Sequence, residues 1–119
     1  SYYAGISYLN LGQYQAAIDY LNDYSANDDI TPITKHGSMA DAYAELEDFD
    51  NALANYKKAA NSDNDFLTPY YLSKLAVLNM KQGNNDAALQ NYERIKSEYP
   101  QAAEAREAKK YIALLKPVS

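Results

Sequence analysis

Few residues in this chain could carry out chemistry, and their spacing decides what they can do. There is one histidine, His36, and no cysteine. A Cys–His pair is therefore excluded, and any Ser–His–Asp set would have to run through His36. Its position among helix-forming residues reads as a structurally satisfied core histidine rather than a general base. Carboxylates pair at Asp28–Asp29 and at Asp63 with Asp65, but both pairs lie in polar, turn-forming stretches. Asp63-Asn64-Asp65 lacks the glycine and the distal glutamate of a calcium loop. The four glycines are isolated, so no phosphate-cradling loop is present. The expectation is a protein with no catalytic, cofactor-binding or metal site, and no enzyme.

Composition narrows the partners. A net charge of −5 with scattered lysines opposes binding to duplex nucleic acid, which needs clustered cations. Lys57-Lys58 and Lys109-Lys110 are the only adjacent basic pairs, each among helix formers. No apolar run approaches the ~18 residues of a membrane span, and no signal-peptide pattern opens the chain. Because patterned sequence starts directly at Ser1, the chain reads as part of a longer protein, with any anchor or targeting signal upstream.

The elements that would position these residues are helices. Residues 1–11 carry apolar side chains at mixed three- and four-residue spacings, and Gly12 ends that run. A second helix follows from about Tyr14, with Ala17, Ile18, Leu21 and Tyr24 on one face. After the polar break SANDDI, Thr31-Pro32 reads as a cap residue followed by proline at the first helical position. Helices to about Leu46 and from Phe49 to Asn61 follow. A second break, SDNDF, precedes Thr68-Pro69, a helix to near Gly83 and its partner from Asn85 to Ser97. Residues 101–116 place Ala105, Ala108, Ile112 and Leu115 on one face opposite a charged one. Seven helices and no strand result. None is much longer than the ~12–15 residues at which an isolated helix is marginal in water, so packing on neighbours must hold them.

The stretch GQYQAAIDYLNDY (12–24) returns as EDFDNALANYKKA (47–59) and GNNDAALQNYERI (83–95). Each copy has a turn residue, a residue two positions on that is aromatic in the first two copies, a small alanine and an apolar helix face. With the preceding helices, this resembles the tetratricopeptide repeat, whose helix-turn-helix unit has a period of about 34 residues. The matching positions are Ala4, Gly5, Tyr8, Gly12, Tyr14, Ala17, Ile18, Leu21 and Tyr24; then His36, Met39, Ala40, Tyr43, Glu47, Phe49, Ala52, Leu53, Tyr56 and Ala59; then Leu72, Leu75, Ala76, Asn79, Gly83, Asn85, Ala88, Leu89, Tyr92, Ile95 and Pro100. His36 and Glu47 depart from the pattern in the second repeat, and Asn79 and Asn85 replace two aromatics in the third, which is expected to pack less tightly. The resemblance implies an all-α fold: a right-handed α-solenoid of about three helix hairpins, with repeats over 1–30, 31–66 and 67–100 and a capping helix over 101–116. It implies one domain over 1–119. At the level of phrases, YYAGISYLNLGQYQAAIDYL and YERIKSEYPQAAEAREAKKYIALL resemble bacterial envelope proteins of the Bacteroidetes type, which implies an extracytoplasmic setting, with a cytoplasmic one as the alternative.

The resemblance also implies a mode of action: a non-catalytic scaffold that binds a peptide or helix of a partner protein along the groove of first helices. The groove positions are Tyr2, Ile6, Leu9 and Asn10; Thr34, Gly37, Asp41, Ala44 and Glu45; and Tyr70, Ser73, Lys74, Val77, Met80 and Lys81. At the positions where one subtype grips a terminal carboxylate, only Lys74 suits the role, which opposes that subtype. Two other readings stand beside this one. Homotypic assembly through the repeat ends would make the chain a homo-oligomer. Glycan binding would use some of the thirteen tyrosines. Tyr8, Tyr14, Tyr24, Tyr43, Tyr56 and Tyr92 fall at core positions, whereas Tyr2, Tyr3, Tyr70 and Tyr71 open helices and are expected to be exposed.

Overall fold

A computed structural model describes residues 1–117. Among them are seven α-helices and no strand: α1 (Tyr2–Asn10), α2 (Tyr14–Asn22), α3 (Thr31–Glu45), α4 (Phe49–Ala60), α5 (Leu67–Lys81), α6 (Asn85–Glu98) and α7 (Ala105–Leu115). The all-α helical-repeat expectation is met. The chain divides into two compact units, Ser1–Ala59 and Ala60–Ser119.

The same turn joins each helix pair. Gly12, Glu47 and Gly83 have φ of 76°, 59° and 81°. The backbone N–H of each donates to the carbonyl three residues back (Leu9, Ala44, Met80). The next N–H donates to the carbonyl five residues back (Tyr8, Tyr43, Asn79). This pair of bonds satisfies carbonyls that a helix end would otherwise leave open, and it needs one residue in the left-handed region. Glycine supplies that conformation twice without strain; Glu47 supplies it at a cost.

The helices after the two polar breaks start earlier than the Thr-Pro pairs suggest. Asp28 Oδ1 accepts from the backbone N–H of Ile30 and Thr31, at 2.9 and 2.6 Å. Asn64 Oδ1 accepts from Phe66 and Leu67, at 3.0 and 2.8 Å. An Asx side chain thus caps each helix from outside, through the residues that flank its first turn. Thr31 is already helical, and Thr68 is wholly buried, its hydroxyl accepting from Asn64 N–H at 2.8 Å and lying 2.7 Å from Ser62 Oγ.

In the first unit, Ile18, Leu21, Met39 and Ala42 form a buried cluster, with Tyr14 and Tyr43 packed on it. Gly5 lets α1 come down onto Leu21. In α3 and α4, Tyr56 donates its hydroxyl to Asp41, and Ala52 and Ala59 are wholly buried. In the second unit, Tyr71, Leu72, Leu75, Ala76 and Leu78 of α5 are buried, as are Ala88, Tyr92 and Ile95 of α6. Arg94 donates to the carbonyls of Ala60 (2.7 Å) and Ser62 (3.0 Å), and to Glu98, tying α6 to the chain before α5. Helix α7 buries Ala105, Ala108 and Ile112 and begins later than the expected Gln101, because residues after Tyr99 first make turns.

Two expectations need correction. Tyr71 is buried, with 6% exposure, because it lies on the same side of α5 as buried Leu75 and Leu78, while its neighbour Tyr70 stays at the surface in line with Ser73, Lys74 and Val77. Asn79 does not leave loose packing. It is buried, and its side-chain amide donates to Asn91 Oδ1 at 2.9 Å while its Oδ1 accepts from the Asn84 amide at 3.5 Å, so a polar bridge from α5 to α6 takes the place of an aromatic. At Asn85 the aromatic is missing, and a shallow depression of about 430 Å³ lies along residues 83–87.

Candidate partner-binding surface

Within the first unit, the residues assigned to the groove divide into two sets. Tyr2, Ile6 and Leu9 pack on the Ile18–Leu21–Met39–Ala42 cluster and are half-buried. The Tyr2 hydroxyl donates to Thr34 Oγ1 at 2.7 Å, and its ring lies 5.3 Å from that of Tyr24. Thr34 in turn donates to the Thr31 carbonyl at 3.2 Å. These four candidates hold α1 to α3. Asp41 is occupied by Tyr56. Gly37 is buried and Ala44 half-buried, whereas Asn10 and Glu45 are exposed.

Within the second unit, α5 has two distinct sides. Its inner side is the buried set described above. Its other side carries exposed Tyr70 and Lys81 and half-buried Ser73, Lys74, Val77 and Met80. Tyr70 is 43% exposed, and the Lys74 ammonium lies 5.0 Å from its ring centroid. An aromatic face, an aliphatic side chain and two ammonium groups along one helix can take up an extended peptide or a helix bearing apolar and acidic groups.

The titratable candidates have structural occupations. Asn55 donates its amide to the Asn51 carbonyl at 2.9 Å, which turns Asn55 Oδ1 toward His36, 3.3 Å from Nδ1. His36 Nδ1 therefore carries the proton in the neutral ring. Burial lowers the His36 pKa from its usual value, Asn55 opposes that, and Lys58 and Lys35 add to it. The ring is thus neutral at pH 7. Asp28 caps α3, and the Thr31 and Ile30 N–H groups lower its pKa. Asp63 accepts from the Tyr99 hydroxyl at 2.9 Å, and burial followed by this bond raises the tyrosine's pKa. Among the described residues no group of three or more His, Cys, Asp or Glu could hold a metal ion. No helix among them is long and apolar enough to cross a membrane.

Arg94, Asp28 and Asn64 were not legible as organising residues. The Asx signal was available, since each stands two residues ahead of an apolar residue that flanks a helix start. Arg94 had no local signal, because its acceptors lie more than thirty positions away.

Three helix hairpins with one shared turn geometry define a helical-repeat protein of the kind that presents surfaces rather than a catalytic cleft. A family model described as the tetratricopeptide repeat matches residues 1–28 and 70–102, and a second of the same description matches 36–66. The chain belongs to the tetratricopeptide repeat family. Repeats of this family generally mediate protein–protein interactions and are typically non-catalytic. Comparison with curated proteins returned no match.

Proposed function

We propose that this chain is a non-catalytic scaffold that binds a peptide or helix of a partner protein on its first-helix faces, with α5 as the main contact. The observation that carries this reading is the α5 side on which Tyr70 and Lys81 are exposed and Ser73, Lys74 and Val77 are half-buried, while the opposite side of the helix is core. In the first unit, Asn10 and Glu45 are the contact candidates, because Tyr2, Ile6, Leu9 and Thr34 are engaged in packing. A photocrosslinking residue at Val77, in the protein expressed in its own cells, should trap a segment of another protein. The adduct should disappear with Tyr70→Ala plus Lys74→Ala and should be absent when the crosslinker is at exposed Asp19. An adduct unaffected by the double substitution would remove the α5 face from consideration.

A second reading, homotypic packing at the α1 edge, is favoured by Tyr3 and Leu11, which are 82% and 71% exposed. Sedimentation of Tyr3→Ser plus Leu11→Ser against the parent chain separates it from the first. Glycan binding through tyrosines has less support, since Tyr2 and Tyr71 are not free platforms. The bacterial-envelope setting is part of the same proposal and rests only on the phrases quoted above. Recovery of the protein in the cytosolic fraction would remove it.

A further inference from the structure

The connection before α5 and the connection after α6 flank an open cavity of about 520 Å³, whose lining shares no residue with the α5 face described above. Its lining includes Asp65, Phe66, Glu98, Tyr99, Pro100 and Glu104, and no Lys or Arg among the described residues. Phe66 is 84% exposed. Its backbone is pinned, since its own N–H and that of Leu67 both donate to Asn64 Oδ1. Tyr99 is held on the other side by its bond to Asp63. An aromatic ring kept in water by a rigid cap forgoes the stabilisation that burial would bring, and nothing in the local fold requires a ring at that position. Ile30 follows the equivalent Asp28 cap and is also exposed, so the cap itself accepts another apolar residue there.

We propose that this cavity is a second docking site, for a linear segment of a partner protein in which an aliphatic or aromatic side chain is flanked by Lys or Arg. The apolar side chain would fill the space between Phe66 and the Tyr99–Pro100 wall. The flanking cations would meet Asp65 and Glu104; Glu98 is shared with Arg94, 3.2 Å away, and contributes less. Charge complementarity selects the occupant: with Glu98 paired to Arg94, whose guanidinium lies 6.0 Å from the Tyr99 ring centroid, Asp65 and Glu104 still leave the lining net acidic, which repels an acidic segment and attracts a basic one. The cavity's volume is within the range of sites that bury large side chains. The site does not depend on the α5 face, so the two can fail separately.

A displayed library of random dodecapeptides, selected on the full chain, tests it, with enriched peptides then synthesised and titrated by fluorescence polarisation. Peptides carrying Lys or Arg beside Leu, Phe or Trp should be enriched. Their affinity should fall at least tenfold with Phe66→Ser and with Asp65→Lys plus Glu104→Lys, and should weaken with added salt. It should be unchanged with Tyr70→Ala plus Lys74→Ala. Phe66 is exposed, so circular dichroism should show that its variant keeps its helices. Failure to enrich any peptide family, enrichment of acidic peptides, or binding indifferent to Phe66→Ser would overturn the proposal. So would binding lost only with the α5 variant, or a dimer of the chain that disappears with Phe66→Ser, which would make the cavity a contact between copies.

Discussion

Gly5 lies directly against Leu21: a Cβ built on Gly5 would stand 2.6 Å from Leu21 Cγ, 2.8 Å from Cδ2 and 3.3 Å from its backbone nitrogen. Leu21 is wholly buried, so its side chain has no open space to retreat into. The closeness of α1 and α2 thus depends on a missing methyl group.

Gly5→Ala should therefore destabilise the chain despite the better helix propensity of alanine. Overpacking costs about 1–3 kcal/mol, against a gain of roughly 0.5–1 kcal/mol from removing a helix-interior glycine. In a Leu21→Ala background the same substitution should cost much less or become stabilising, because the two atoms under 3 Å are gone and only the 3.3 Å approach to the backbone nitrogen remains. Urea denaturation of the four proteins of this cycle measures the coupling, and additivity would refute the contact.

The shared turn offers a paired test. Gly83 has nothing within 4 Å of a built Cβ, so Gly83→Ala isolates the effect of positive φ. It should lose about 1 kcal/mol, the lower end for a non-glycine residue in the left-handed region. Glu47→Gly should move the other way by a similar amount, since Glu47 is exposed and already sits at φ 59°. Opposite shifts in the denaturation midpoint are the expected result.

Tyr92 stacks on Tyr111 at 5.2 Å and 13°, yet its hydroxyl is buried without a hydrogen-bond partner. Tyr92→Phe keeps the stack and removes an unpaired polar group whose burial costs about 1–3 kcal/mol, so the variant should be more stable. Burial, with Tyr111 and Glu107 adding to it, pushes the Tyr92 pKa up to about 12. The folded state thus keeps a proton that the unfolded chain releases near pH 10, and stability should fall as pH rises between those values. Tyr92→Phe should flatten that fall in thermal melts.

His36 produces a dependence of the opposite sense. Its pKa is lower folded than unfolded, so below about pH 6.5 the unfolded chain binds the extra proton first. Stability should decline as pH drops from 7 toward the folded value. His36→Gln should abolish this component and leave the later acid transition, to which Asp28 contributes: its lowered pKa means a contribution present near neutrality and lost at low pH. Denaturation midpoints between pH 7 and 5 read the difference.

The helices, their pairing and the turns between them are written in local pattern, because these depend on hydrophobic period and on one residue able to take a positive φ. Gly12 and Gly83 were legible for that reason. Glu47 could be aligned with them but not known to adopt φ 59° until the bonds from its N–H and the next were seen. Long-range packing selects which candidate surface residues are already engaged. Tyr2 and Thr34 bond to each other, a contact thirty-two positions apart that no local pattern encodes. Packing of the Leu72–Leu75–Leu78 side of α5 into the core takes Tyr71 with it and leaves Tyr70 outside. Successive helical residues point about 100° apart, so the packing that commits one side of α5 to the core also commits Tyr70 to the other side.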